Sequence, residues 1–189
     1  MNMLMPPGTY TAKLTVDGQD VGSQSVKVTI DPNAGGSDPD IQKQTAMLMD
    51  LRKDLESAAD MTNQIEIIRA QLGNLGQLVR DASVKTAAVD LEKKLTDIED
   101  NLIQRKYSGQ GQDTTRFPTE LIGKITYLAG DVSGGDYPPN MQEQEVKTMF
   151  EAQLASLRKR LDDVVSGDLN NFNRMLRDKN IGNVIASGQ

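Results

Sequence analysis

The side chains of this chain that could carry acid–base chemistry are carboxylates. Two closely spaced pairs are Asp97 with Glu99, and Asp162 with Asp163. Enzymes that cleave glycosidic bonds place two carboxylates on opposite sides of a cleft. In a chain with 27 acidic residues, neighbouring acids are expected without any such role, and on helices they usually form solvated faces. We therefore interpret both pairs as surface charge, and we predict no catalytic residue and no enzyme activity in this chain.

The amino-acid composition removes several other kinds of site. The 189 residues include no His and no Cys. This excludes thiol nucleophiles, disulfides, Ser-His-Asp relays and the usual zinc and iron ligand sets. Gly73 and Gly76 lie within a helical pattern and follow no strand, so they lack the context of a phosphate-binding loop. We expect no cofactor and no bound metal.

The charge pattern bears on nucleic acid and membrane as partners. The formal net charge is -6 at pH 7, and the basic run Arg158–Arg160 is followed at once by acids. The chain therefore lacks the electrostatic footprint of a nucleic-acid-binding protein. No apolar run approaches the roughly 20 residues of a membrane span, and the opening MNMLM is too short for a signal peptide. We expect no nucleic-acid partner, no membrane span and no signal peptide in this chain.

The beginning of the chain reads as a β-hairpin. Apolar residues alternate with Thr and Lys from Thr9 to Val16, which is typical of a half-buried strand. Asp17-Gly18 favours a tight turn. A return strand follows from Gln19 to Ile30, and Gly22-Ser23 predicts a bulge within it. The large apolar side chains of both strands fall on one predicted face: Tyr10, Leu14, Val16, Val26, Val28 and Ile30.

This apolar hairpin face is the candidate interaction face of the chain. A two-stranded ribbon is marginally stable in water unless its apolar face is covered. Three covers are open at this point. They are the helices of the same chain, the missing strands of a longer parent protein, and a partner chain that adds a strand at the open edge.

After the hairpin, the apolar spacing changes to steps of three and four, which indicates helices. The sequence predicts a mainly α fold with a small β part, in which an N-terminal β-hairpin precedes an elongated antiparallel three- to four-helix bundle. The predicted helices run from Asp38 towards Arg80, from 83 to 106, from Pro118, and from Asn140 with a kink and a new cap at Gly167-Asp168. The predicted divisions are 1–32 for the hairpin, 33–38 for a linker, 39–179 for the bundle and 180–189 for an extended tail.

Four stretches together resemble a known family. They are Pro7–Gly18, which reads PGTYTAKLTVDG, then Ile68–Leu72, Phe117-Pro118 and Phe172–Arg177. In this combination the chain is similar to the C-terminal region of bacterial sortilin-like proteins. Those are large chains whose β-propellers are built from Asp-box (BNR) repeats, and they are often labelled glycosyl hydrolases.

The resemblance implies an origin for the hairpin. Residues 7–31 would be the last strands of an immunoglobulin-like (Ig-like) sandwich, with Tyr10 near a corner. The earlier strands and the propeller would lie upstream. An Asp-box needs Trp, and this chain has none, so the hydrolase label attaches to no residue here.

We therefore expect a non-catalytic structural or protein-interaction module, the C-terminal accessory region of a larger sortilin-like protein. Its partner would be the upstream β-propeller and β-sandwich, or another protein chain. By resemblance, the location would be the cell envelope or the outside of a bacterium. Two alternatives remain. One is an accessory part of a glycoside hydrolase or protease-linked enzyme whose active site lies upstream. The other is a free-standing helical adaptor that self-associates through its Leu seams.

Overall fold

The fold was analysed in a computed structural model that describes residues 5–33 and 35–187. It is mainly helical, with a two-stranded antiparallel hairpin ahead of the helices, so the predicted fold class is confirmed. The strands are β1 (Gly8–Val16) and β2 (Gln19–Val28). The helices are α1 (Asp38–Leu78), α2 (Ala82–Leu102), α3 (Asp113–Arg116), α4 (Leu121–Val132), α5 (Met141–Asp163), a π-helical segment (Val164–Leu169) and α6 (Asn170–Asp178).

Helix α1 is the long axis of the molecule. Its 41 residues span about 60 Å at 1.5 Å per residue. Ser37 is its N-cap, and Asp40 Oδ2 accepts hydrogen bonds from the Ser37 hydroxyl (2.6 Å) and backbone N–H (3.2 Å). These hydrogen bonds lower the pKa of Asp40. Pro39 occupies the second helical position.

Three helical columns make up the bundle. The first is α1, and the second is the continuous run of α5, the π-helical segment and α6. The third is shared, with α4 beside the first half of α1 and α2 beside the second half. Gln44 Nε2 donates to the Val132 carbonyl (2.7 Å), which places the end of α4 near the start of α1. Arg158, on the second column, donates to the carbonyl of Ser57 on α1 (3.0 Å). Helices α2 and α4 run antiparallel to α1. The second column, which follows α4 along the chain, runs parallel to α1.

The core runs through all three columns. Aliphatic side chains fill it, as the scarcity of aromatic residues predicts, and Phe150 and Phe172 are the buried aromatics among the described residues. Close packing of such side chains provides most of the stability of a bundle of this kind. The largest fully buried side chains are Leu51, Met61, Ile65, Ile68, Leu72, Leu95, Ile98, Leu102, Leu121, Ile125, Leu161 and Leu176.

The loop before α4 differs from the prediction. Helix α2 ends at Leu102 because Ile103 is already extended, four residues before the predicted end. The short α3 was not predicted. The carboxylate of Asp113 organises it by accepting the backbone N–H groups of Ser108 (2.6 Å) and Gly109 (2.9 Å). Helix α4 then begins at Leu121 rather than at Pro118.

The second column has no break at Gly167-Asp168. The predicted kink and new cap are replaced by the π-helical segment, a wide turn that keeps the helix continuous from 141 to 178. Asp168 makes no cap. Its Oδ1 instead lies 2.7 Å from Lys94 Nζ on α2. The predicted start of this column at Asn140 is confirmed by a capping box, in which Asn140 and Glu143 satisfy each other's backbone N–H groups.

Candidate interaction face on the hairpin

The turn of the hairpin is set by two residues. Asp17 and Gly18 both have positive φ angles, 49° and 79°. Two successive left-handed residues make a type I′ turn, whose twist matches that of the flanking strands. The chain passes directly from β1 into β2, and Val16 pairs with Gln19. The predicted Asp-Gly hairpin is therefore confirmed.

The strand register brings the candidate residues together. Tyr10 lies opposite Val26, and Leu14 lies opposite Gly22. Opposed residues share a face, and every second residue along a strand does too. The bulge lies between Leu14 and Thr15 on one side and leaves Val21 of β2 without a partner residue. Five of the six candidate residues belong to the paired strands, and Ile30 follows just beyond β2.

The candidate face is bare at its tip and partly covered at its base. Leu14 is 62% exposed, Val16 50% and Val26 46%. Tyr10, Val28 and Ile30, nearer the bundle, are half-buried. Side chains of this kind gain stability only when their surface leaves water. The tip of the hairpin therefore presents apolar surface that its own fold does not use.

The helices of the chain cover only the base of the face. No Cα atom of β1 or β2 lies within 8 Å of a Cα atom in any helix of the described chain. A cavity of ≈ 470 Å³ lies between the foot of the hairpin and the bundle. Val28 and Ile30 line it from one side, and Ile41 and Leu48 of α1 line it from the other. Of the three covers considered, the chain's own helices therefore do not reach Leu14, Val16 or Val26.

Tyr10 ties the start of the hairpin to the residues before it. Its hydroxyl donates a hydrogen bond of 2.6 Å to the carbonyl of Pro6, four residues upstream. A Tyr near the start of a late strand makes a bond of the same kind at the tyrosine corner of Ig-like sandwiches. The bond fixes the direction from which the chain enters β1.

The two outer edges of the hairpin are not equivalent. The bulge places its extra residue in β2, and a bulge distorts the row of backbone groups at an edge. Strand β1 has nine residues with neither a bulge nor a Pro. The opposite face is polar, and there Lys13 and Asp20 form an exposed ion pair at 2.8 Å. The edge of β1 is thus the more regular template for a further strand.

Three of the four acids in the two carboxylate pairs make ion pairs with basic side chains. The carboxylate of Asp97 pairs with Arg160 of α5, whereas Glu99 points to Arg69 of α1 at 2.6 Å. Asp163 pairs with Lys159 one turn earlier, at 2.6 Å. In each case the acid is turned to a cation rather than to its neighbouring acid across a cleft.

Glu99 departs from the surface role that we predicted for it. It is 1% exposed, and Arg105 approaches the same carboxylate oxygen at 3.4 Å. Burial raises the pKa of Glu99, and the guanidinium groups of Arg69 and Arg105 oppose that shift. This arrangement holds α1, α2 and the following loop together. The sequence signal that could have predicted this buried position is that Glu99 directly follows Ile98 of the heptad seam.

A second concave surface lies between α4 and α5. It is a groove of ≈ 560 Å³ whose floor is formed by Leu128, Val146 and Phe150. Tyr127 stands at its rim and is largely exposed. The described residues contain no group of three or more acidic, His or Cys side chains arranged to hold a metal ion.

None of the helices in the described ranges combines the length and the apolarity required to cross a membrane. Comparison of the chain with protein-family models, with curated proteins and with solved structures gave no match.

Proposed function

We propose that this chain is a non-catalytic structural module that attaches through its hairpin to a β-sandwich and projects a rigid helical arm from it. The sandwich strands would come from the preceding part of the same polypeptide, as in the sortilin-like propeller proteins that the sequence resembles. The location would then be the cell envelope or the outside of a bacterium. The observation that carries the proposal is the uncovered apolar face at Leu14, Val16 and Val26.

The hairpin is suited to such an attachment. Its face would complete the apolar layer between two sheets, because sandwich strands turn alternate residues inward. The regular edge of β1 would pair with the neighbouring strand. The hydrogen bond from Tyr10 to Pro6 supports this assignment, because it matches the corner that precedes the last hairpin of an Ig-like sandwich.

The bundle is suited to the role of a spacer. Helix α1 sets the length of the bundle, and the second column runs beside it from residue 141 to 178. Both the Leu seams of α1 and those of α2 are buried inside the chain. Leu14, Val16 and Val26 are exposed together on the hairpin, whereas Leu78, Val89 and Tyr127, which are also largely exposed, lie on three different helices. Attachment through the hairpin is therefore favoured over association through the seams.

The test uses the natural polypeptide that includes the residues encoded upstream of Met1, compared with the 189-residue chain. Hydrogen exchange of the β1 and β2 amides is measured in both. We expect the longer polypeptide to protect the β1 amides that exchange rapidly in the shorter chain. Equal exchange in both proteins, or a stop codon directly upstream of Met1, would overturn the proposal.

A pair of double variants assigns the protection to the correct face. Leu14→Gln with Val26→Gln removes apolar side chains from the candidate face. Thr11→Gln with Ser25→Gln changes the opposite face, where these two residues pair directly. The first double variant should abolish the added protection in the longer polypeptide, and the second should leave it in place.

A further inference from the structure

At the end of the helical arm farthest from the hairpin, side chains of the bundle hold the C-terminal tail of the same chain. The described part of the C-terminal tail, 180–187, has no helix or strand, yet Val184 is only 3% exposed. Its polar backbone groups are satisfied by side chains rather than by another strand. This end lies about 45 Å along α1 from the hairpin, counted from Ile41 to Gln71 at 1.5 Å per residue.

Two side-chain amides bind two successive residues of the tail. Asn173 of α6 accepts the N–H of Val184 (2.7 Å) and donates to its carbonyl (2.8 Å). Gln71 of α1 accepts the N–H of Ile185 (3.0 Å) and donates to its carbonyl (2.8 Å). Successive residues of an extended chain point their backbone groups to opposite sides. The two amides therefore grip the tail from both edges, as two neighbouring strands would.

The contacts select a conformation more than a sequence. All four hydrogen bonds go to the main chain, which every residue except Pro presents. Side-chain selection rests mainly on Val184, whose side chain enters the core; Ala186 packs partly against the core, and Ile185 is half exposed. No charged side chain occurs from Ile181 to Ser187. The site thus fits an extended, uncharged segment with a small branched aliphatic residue.

The tail is joined to the arm by a connection that can open locally. Helix α6 ends at Asp178, and Asn180 adopts a left-handed conformation with φ of 57°. The N–H of Ile181 then bonds to the carbonyl of Leu176 (2.9 Å), which completes the helix end. Residues after Ile181 can leave the bundle without unwinding α6, because none of its internal hydrogen bonds depends on them.

We propose that Gln71 and Asn173 form a socket that binds an extended, uncharged segment of another protein chain, and that the tail is its resident and displaceable occupant. The arm would then carry an attachment surface at each end, the hairpin at one and the socket at the other. The socket does not depend on what covers the hairpin.

A labelled peptide with the sequence of residues 180–187 tests the socket. Its fluorescence anisotropy is titrated with the full chain carrying Val184→Asp, in which the resident tail is ejected because a buried charge is costly. The unmodified chain is the comparison. A tethered segment has an effective concentration of about 1 mM, so the tail should outcompete free peptide below that range. We expect binding to the Val184→Asp chain to be at least about tenfold tighter than to the unmodified chain.

Two controls assign the binding to the proposed contacts. A peptide that itself carries Val184→Asp should not bind. Adding Asn173→Leu to the Val184→Asp chain should abolish binding of the natural peptide, while circular dichroism reports that the helices are intact. Absence of binding up to about 1 mM peptide, or equal binding to both chains, overturns the proposal.

Hydrogen exchange of the unmodified chain provides a measurement that needs no variant. The amides of Val184 and Ile185 should exchange by local opening, at least about 100-fold faster than the core amides of α1. If they exchange only when the whole bundle unfolds, the tail is an integral part of the core, and the proposal fails even where the variants cannot be prepared.

Discussion

The two ends of this molecule differ in how backbone hydrogen bonding and burial of apolar side chains are combined. The hairpin has a type I′ turn and two strands that pair along their length apart from one bulge, yet Leu14 and Val16 stay exposed. The described part of the C-terminal tail, 180–187, has no helix or strand, yet Val184 is buried and side chains bond the backbone of Val184 and Ile185 from opposite sides. Regular backbone hydrogen bonding and burial of apolar surface are thus separate achievements. The first follows from local sequence, and the second requires a neighbour.

The comparison also separates what each end contributes to stability. A hairpin that touches the bundle only at its base can open without exposing the core. The tail closes the far end of the bundle, so its release uncovers apolar side chains that would otherwise stay dry. Changes of the same chemical kind should therefore have different effects at the two ends and in the core between them.

The largest contrast is expected between two Leu→Ala substitutions. Leu161→Ala, at a fully buried position of α5, should lower the free energy of unfolding by about 3 kcal/mol, because it removes buried surface and leaves a cavity. Leu14→Ala on the hairpin should change it by less than about 0.5 kcal/mol. Urea denaturation followed by circular dichroism at the helical band measures both. A loss above about 1 kcal/mol for Leu14→Ala would show that the face is covered after all.

The next contrast lies within α6. Asn173→Ala removes both amide hydrogen bonds to Val184, and the free energy of unfolding should fall by about 1–3 kcal/mol. Asn171→Ala is the matched control, since Asn171 is exposed two residues earlier. Its effect should stay within about 0.5 kcal/mol. Similar urea midpoints for the two variants would mean that the amide grip on the tail adds nothing to stability.

Acid should weaken the tail end through Asp81. This carboxylate caps α2 and pairs with Lys179 at 2.6 Å, and the bonds from Lys179 and then Ser83 hold its pKa well below the ordinary value. A lowered folded-state pKa means stability that is present above the unfolded-state pKa and lost as pH falls through the folded-state pKa. Asp81→Asn keeps a good cap but cannot titrate.

The melting temperature of both proteins, measured at pH 7 and at about pH 3, checks this expectation. The fall between the two pH values should be smaller for Asp81→Asn than for the natural chain. Lys179→Gln should reduce the fall as well, because it removes the main cause of the shift. An unchanged fall in both variants contradicts the assignment.

The smallest effect is expected for Tyr10→Phe. It deletes the hydroxyl that bonds to Pro6, a contribution of about 0.5–1.5 kcal/mol that acts on the hairpin alone. The urea midpoint of the bundle should therefore not move, whereas the β1 amides should exchange faster. Thr11→Val, on the opposite face, should not accelerate that exchange. A shifted urea midpoint for Tyr10→Phe would show that the hairpin and the bundle unfold together.

Much of the fold follows from local patterns in the sequence. Asp17-Gly18 predicts the turn, the period of two predicts the strands, and Asn140 with Glu143 carries the signature of a capping box. These signals operate over a few residues, so no knowledge of the tertiary structure is needed to use them. The end of α2 and the start of α4 were harder to predict, because the loop between them is organised by its own contacts, such as those of Asp113.

The features at the two ends and in the interior depend on long-range contacts. Gln71 and Ile185 are 114 residues apart in the sequence, and nothing in the neighbourhood of either announces the pairing. Glu99 reads as one of many surface acids until Arg69 is seen to reach it. Exposure of the hairpin face was likewise undecidable, since the same alternation fits a covered and an uncovered ribbon. Sequence periodicity identifies which side is apolar and leaves open what lies against it.

The π-helical segment gives the second column one residue more than a continuous α-helix would have over the same path. The buried side chains step from Val164 to Leu169, five residues on, where an ordinary helix would use three or four. Deleting one residue inside that wide turn would leave a standard helix with Leu169 and Leu176 in their present phase. The same deletion in the middle of α5 would rotate everything beyond it by about 100°. An evolving gene could therefore lose a codon here, and almost nowhere else along this rod, without turning its inner surface outward.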